Sequence, residues 1–251
     1  MKKYVYNEYD VNPVYHTYKQ RKKRKLKKKV KIICILFILM IIVGYLLSPY
    51  SKIKTIQVRG NENISKEEII EYISVDLSSY YFLVDKKNIQ NEVKECPVIK
   101  QVSVQMDWVG HLIIEVEEAS PIAYAQINDI YYEINDIGNI VEIDNIEGMK
   151  SLPFVSHFKD KDILKKFAEG FCQVPSLMQN EISDIILEPQ KADPHKLKCL
   201  MKDNKKVYVR IEDLATKLND EQFNYEAYKS ASKDNCIFSI EGRNVYMSPC
   251  E

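Results

Sequence analysis

Three groups of side chains have types that chemistry or recognition uses. Cys199 lies in an alternating run with Leu197 and Met201, and Arg210 follows on a second alternating run. A membrane-anchored cysteine transpeptidase would need such a thiolate, with a nearby base to generate it. The alternation argues against that chemistry. Cys199 shares the face of Leu197 and Met201 and reads as a small core residue. His157, Asp160 and Asp162 are a second group, but their spacing fits no metal-ligand pattern. The other histidines, His16, His111 and His195, are scattered. No His-Glu-x-x-His, Gly-x-Ser-x-Gly or phosphate loop occurs. No catalytic residue, metal or cofactor is expected, and the chain is read as a non-enzyme. The third group is the C-terminal pair of alternating runs, Ile237, Phe238, Ser239 and Ile240, then Asn244, Val245, Tyr246 and Met247. Its chemistry would be recognition: an extended partner added to a strand edge, with aromatic side chains concentrating the binding energy.

The six cysteines constrain little. Cys34 falls in an apolar run, leaving Cys96, Cys172, Cys199, Cys236 and Cys250. An odd number without motif spacing argues against a complete disulfide framework. One bridge stays open, with no pair singled out.

The element that positions everything else is the apolar run Ile32–Leu47, followed by Ser48-Pro49. Its length covers most of a hydrocarbon core of roughly 30 Å, so it is read as one transmembrane helix, residues 32–48. Ser48-Pro49-Tyr50 offers no small-x-small cleavage site, which argues against a removed signal peptide. The basic block Lys19–Lys31 has no intervening acid and places residues 1–31 in the cytoplasm and the remainder outside. The same block is expected to meet anionic lipid rather than nucleic acid. The chain has 36 basic and 36 acidic residues. Residues 1–31 hold 12 basic and 2 acidic ones, a net of +10, so the remainder is 24 minus 34, or −10. An acidic external portion is poorly suited to binding a polyanion through bulk charge. Residues 1–18, polar and rich in tyrosine (Tyr4, Tyr6, Tyr9, Tyr15, Tyr18), read as a disordered tail.

Beyond the span, Ile53–Val58 reads as a strand ended by Gly60-Asn61. Ser65 and Glu68 have capping-box spacing, with Ile69, Ile70 and Ile73 on one helix face. Asp85 caps a second helix to Glu95, whose Ile89 and Val93 share a face. Val102–Met106 and Leu112–Val116 then read as strands joined by a turn containing Gly110. Further on come a hairpin about Gly138 (Ile130–Ile134 and Ile140–Ile143) and an amphipathic helix near Asp160–Val174. Strands follow at Ile182–Ile185, Leu197–Met201 and Lys206–Arg210, then a short helix at Glu212–Asn219. Strands at Cys236–Ile240 and Asn244–Met247 close the chain.

Ile56, Val58, Gly60, Asn61, Ile64, Ser65, Glu67, Glu68 and Ile69 carry the pattern I-x-V-x-G-N-x-x-I-S-x-E-E-I, which resembles the opening of a POTRA domain. Pro97–Val102 and Leu112–Glu118, ending Ser120-Pro121-Ile122-Ala123, continue it. With a basic tail and one helix in front, the layout resembles the DivIB/FtsQ family of bacterial division proteins from Lys19 to Pro249. The family often has Trp-Pro or Tyr-Pro in the hairpin, where this chain has Trp108-Val109. Glu118-Ala119-Ser120-Pro121 stands where Glu-Arg-x-Pro is common. The fold expected is α+β: the transmembrane helix, a β-α-α-β-β POTRA domain over residues 50–122, and a mostly antiparallel β domain with helices over residues 123–249. The resemblance implies a noncatalytic scaffold at the division septum, meeting the bitopic proteins FtsL and DivIC/FtsB and acting with the septal peptidoglycan synthase. The competing readings are the Cys199 transpeptidase and a POTRA-bearing transport or engulfment component.

Overall fold

The computed structural model describes residues 13–144, 151–219, 221–231 and 234–250, with side chains described from Lys27 onward. These fall into two units. One comprises the chain up to Ile56 with 75–84 and 106–112; the other comprises 57–74, 85–105 and the chain from Ile113 on.

In the first unit, α1 (Pro13–Leu46) is one helix of 34 residues. Its stretch Lys27–Leu46 has a mean hydropathy of 2.5 and no buried residue, and is long and apolar enough to cross a bilayer. The helix begins earlier than composition suggested. Residues 13–18, read as part of an unstructured tail, are helical. Proline suits a first turn, and the Lys, Arg and Leu of the block that follows are good helix formers. Tyr4, Tyr6 and Tyr9 lie outside the described residues, as do the side chains of the basic block before Lys27. At the other end, the Ser48 and Ser51 hydroxyls both donate to the Tyr45 carbonyl at 2.6 Å. With the Ser48 amide, which donates to the same oxygen at 3.1 Å, they satisfy a carbonyl at the helix end. No spacer follows. The Ile53 amide donates to the Ser79 carbonyl at 2.9 Å and the Lys54 amide to the Gly110 carbonyl at 2.8 Å.

The next elements are β1 (Thr55–Arg59), α2 (Lys66–Glu71), α3 (Lys86–Lys94), β2 (Ile99–Met106) and β3 (His111–Glu118), with sheet order β1-β3-β2. The expected caps form. The Ser65 hydroxyl accepts from the Glu68 amide while the Glu68 carboxylate accepts from the Ser65 amide, and Asp85 accepts from the amides of Lys87 and Asn88. In the second unit Ile69, Ile89, Val93 and Ile114 are fully buried, each contributing about 1.5–3 kcal/mol by removal from water. Gly60 meets the need foreseen for it: its φ is +83°, and a Cβ there would stand 2.2 Å from the Val116 carbonyl oxygen.

Glu118 ties β3 to the loop before α2. Its carboxylate accepts from the backbone amides of Glu62, Asn63 and Ile64 at 2.6–3.1 Å. Burial alone would raise its pKa, but these bonds outweigh burial and hold the carboxyl below the ordinary glutamate range. A depressed folded pKa stabilises the fold above the unfolded pKa, and that stability is lost as pH falls through the folded value. Glu118→Ala is therefore expected to cost roughly 1–3 kcal/mol at neutral pH. Denaturation midpoints at neutral and mildly acidic pH check this, since the gap between parent and variant narrows on the acid side.

The remaining strands are β4 (Pro121–Ile127), β5 (Ile130–Asn135), β6 (Ile140–Ile143), β7 (Phe154–Ser156), β8 (Ile182–Leu187), β9 (Lys196–Met201), β10 (Lys206–Arg210), β11 (Asn235–Glu241) and β12 (Asn244–Pro249). They form one sheet in the order β12-β11-β10-β9-β8-β7-β4-β5-β6. β4–β7, β7–β8 and β10–β11 are parallel and the other neighbours antiparallel, so the sheet is mostly antiparallel, as expected. The helices are α4 (Lys161–Phe171), α5 (Ser176–Glu181), α6 (Leu214–Lys217) and α7 (Tyr225–Ala231). Asp160 caps α4, whose Leu164, Phe167 and Phe171 join Ala125, Ile134, Val155, Ile185, Leu197 and Phe238 in a single core. Phe167 and Phe171 stack at 5.2 Å.

Candidate partner-binding edge

β12 ends the nine-stranded sheet, and no strand lies beyond it among the described residues. It is paired with β11 through a two-residue turn, Gly242-Arg243, closed by the Glu241–Asn244 pair. Gly242 takes a φ of +62°, which such a turn demands. Past the turn, Cys236 in β11 bonds to Cys250. The hairpin is thus closed at both ends, and the choice of bridge that the sequence left open is made.

Alternation divides the eight residues expected to meet a partner. Phe238 and Ile240 face the core and are buried. Phe238 has the rings of Phe223, Tyr225 and Tyr228 at 6.0–6.2 Å. The Phe238 side chain is covered by α7 and the loop before it, and Ile240 is buried in the same core, so neither side chain lies on the open surface of the hairpin. Ser239 and Ile237 are half-buried on an interior strand, since β11 pairs with β10 on its other side. Asn244, Tyr246 and Met247 are exposed, and Val245 packs partly against the core. Antiparallel pairing alternates bonded and non-bonded positions. With Glu241–Asn244 as the closing bonded pair, the Asn244 and Tyr246 amides turn toward β11 and the Val245 amide turns toward the outer edge.

Beside this hairpin lies a cleft of about 470 Å3, lined by Lys196, Tyr208, Arg210, Lys217, Ser239 and Glu241 among others. The Lys196 ammonium stands 4.8 Å from the centre of the Tyr208 ring. Sequence reasoning missed Lys196 and Tyr208 as neighbours of the edge. Only the β9–β10–β11 pairing brings them there.

The chemical groups are placed less favourably for catalysis. Cys199 is fully buried, and burial pushes its thiol up to about 12, so it is held as the thiol at neutral pH. Its cross-strand neighbours are Val207 and Ile185, whereas Arg210 pairs opposite Lys196 and engages Asp193 at 3.1 Å. A thiol-reactive reagent is therefore expected to leave Cys199 unmodified until the protein unfolds. Cys199→Ala is expected to preserve function in cells, and mass spectrometry of labelled native protein checks the first point. His157 is exposed, and Asp160 is occupied as the cap of α4, accepting from the Asp162 amide at 2.8 Å. Among the described residues no group of three or more His, Cys, Asp or Glu is arranged to hold a metal. A second cleft, about 620 Å3, includes Glu68, Tyr72, Cys96, Glu118 and Glu133. Glu68 is spent on the cap of α2 and Glu118 on the loop before it.

Comparison with known proteins matches residues 51–119 to the POTRA domain, FtsQ-type. The cell division protein DivIB of Pediococcus pentosaceus is 26% identical over 181 residues, covering 71% of this chain and 49% of that protein. DivIB of Bacillus subtilis is 26% identical over 179 residues, covering 71% of this chain and 68% of the relative. The chain thus aligns with about half of the first relative and about two thirds of the second. A solved extracytoplasmic domain of DivIB from Geobacillus stearothermophilus superposes with a TM-score of 0.37 at 21% identity, covering 47% of this chain and 96% of that one. The family match falls on the residues that form β1 to β3, and the relatives agree with one another. On the family match and these relatives, the chain carries an FtsQ-type POTRA domain over residues 51–119 and is similar to DivIB proteins of bacterial cell division.

Proposed function

We propose that the chain is a noncatalytic, membrane-anchored scaffold of the division machinery. It binds FtsL and DivIC/FtsB-like bitopic proteins and helps control the septal peptidoglycan synthase. The observation that carries this reading is β12, an exposed strand at the end of a long sheet in a chain similar to DivIB proteins. An extended partner segment adds to such an edge through main-chain bonds, and Tyr246 supplies the aromatic contact that such interfaces favour. A buried thiol at Cys199 supports the noncatalytic part, because thiolate chemistry has no source there. The anchor is α1, with the basic Lys19–Lys31 end in the cytoplasm against anionic lipid and everything after Pro49 outside.

The test uses proline at Val245. Proline removes only the outward-facing amide there and leaves the β11 ladder its donors. Val245→Pro is expected to weaken binding of the purified FtsL–DivIC pair at least tenfold while circular dichroism stays that of the parent, and Tyr246→Ala to weaken it by roughly 1–2 kcal/mol. Unchanged binding by both folded variants moves the site elsewhere. A fluorescent fusion of the parent is expected at mid-cell; uniform membrane fluorescence would favour the transport or engulfment reading.

A further inference from the structure

Among the described residues after Leu47, eleven large apolar side chains are exposed, and six of them fall in the short stretches that join α1 in the first unit. They are Tyr50, then Leu77, Phe82 and Leu83, then Trp108 and Val109. Trp108 is 88% exposed and Leu83 72%. Exposed apolar residues scattered singly need no explanation, but a concentration beside a membrane span does.

Backbone bonds hold these stretches near the end of α1. The Ser51 hydroxyl reaches back to the Tyr45 carbonyl. Lys54 is three residues on, at most about 11 Å of chain. Lys52 bridges to Tyr80, the Ile53 amide binds the Ser79 carbonyl, and the Lys54 amide binds the Gly110 carbonyl. The loops carrying Leu77–Leu83 and Trp108-Val109 are therefore fastened to the first residues that leave the bilayer. Headgroup layers occupy roughly 5–8 Å beyond each side of the hydrocarbon core, so these loops are within their reach.

The acids in the two loops, Asp76 exposed and Asp107 half-buried, bond to groups of their own turns. Asp76 accepts from the amide and hydroxyl of Ser78 and from the hydroxyl of Ser79. Asp107 accepts from the amides of Val109 and His111. These bonds pre-order the loops. Lys54 is exposed nearby, and the Lys52 ammonium lies 5.9 Å from the centre of the Tyr80 ring. A cation beside a phenol ring suits anionic headgroups, and Trp and Tyr are enriched at the membrane–water boundary.

We propose that Tyr50, Leu77, Phe82, Leu83, Trp108 and Val109 form a lipid-contacting surface, seated in the interfacial layer of the bilayer that α1 crosses. The proposal depends on α1 being the anchor and is independent of the partner bound at β12. It gives the first unit, besides α1, a second contact with the membrane.

Trp108 is the only tryptophan in the chain, so its fluorescence reports this surface directly. The full chain is reconstituted into phosphatidylcholine–phosphatidylglycerol vesicles, with or without bromine on the acyl chain near the headgroup. Flotation with the vesicles shows whether the anchor has inserted. The expected result is a blue-shifted emission, loss of most of its intensity in the brominated vesicles, and protection from acrylamide in the water. Leu83→Glu with Val109→Glu is expected to float like the parent and to lose most of the bromolipid quenching. Floating protein whose emission is unquenched by bromolipid and open to acrylamide overturns the surface and leaves the anchor standing. Protection from acrylamide without bromolipid quenching also overturns it, because the cover is then protein. Quenching unchanged in the double variant removes Leu83 and Val109 from the contact and overturns the surface as drawn. Protein that does not float overturns the anchor and the proposal together.

Discussion

Phe238→Ala lowers the unfolding free energy by about 3–5 kcal/mol, the usual range for an aromatic ring removed from a packed core. Phe238 is fully buried, and the rings of Phe223, Tyr225 and Tyr228 surround it. The Lys205 ammonium sits 5.8 Å from its ring centre while donating to the Asn235 carbonyl. Removing the ring leaves a cavity next to a charge that depends on this packing for its position. Urea denaturation of the full chain in mild detergent gives the value. Tyr246→Ala is the matched comparison. The residue is 55% exposed, so removal of its ring is expected to change stability by less than about 0.5 kcal/mol while still weakening partner binding. Loss of binding in Phe238→Ala is then a folding effect, and loss in Tyr246→Ala a contact effect.

The second large effect concerns the bridge at the foot of the hairpin. Cys236 and Cys250 are 14 residues apart in sequence, and closing a loop of that length stabilises by about 3 kcal/mol in the chain-entropy account. Edge strands gain pairing on one side only, so β12 depends on this closure more than an interior strand would. Replacing both cysteines by serine is expected to cost roughly 2–4 kcal/mol. Cys34, Cys96, Cys172 and Cys199 are free, so a reducing agent should lower the stability of the parent by a similar amount and leave the variant unchanged. A variant still sensitive to reductant would place the stabilising bridge elsewhere.

Much of the fold was legible because its signals are local. The Ser65–Glu68 capping box, the Asp85 cap, the glycine turns and the alternating runs each specify a short element without help from the rest. The long apolar helix was legible for the same reason. β4 was not read as a strand: it opens on Pro121 and fills its buried face with Ala123 and Ala125, small residues that carry little β signal. α5 and α7 are six and seven residues long, too short for a helical period to show. The candidate edge was half legible. Alternation gave both strands, but nothing local states that β11 lies between β10 and β12. The parallel β10–β11 pairing joins segments about 30 residues apart and decides that Phe238 is core and Tyr246 surface. The bridge between Cys236 and Cys250 follows instead from the β11–β12 pairing, which sets Asn235 opposite Pro249, and cysteine number alone gave no route to it.

The most direct measurement is amide hydrogen exchange on the full chain in detergent, with and without the FtsL–DivIC pair. Docking by strand addition predicts slower exchange along Asn244–Tyr246 when the pair is bound, strongest at Val245, with little change in β6 at the opposite end of the sheet. Protection confined to β6 or to residues 57–105, with Asn244–Tyr246 exchanging as fast as in the free chain, would contradict it.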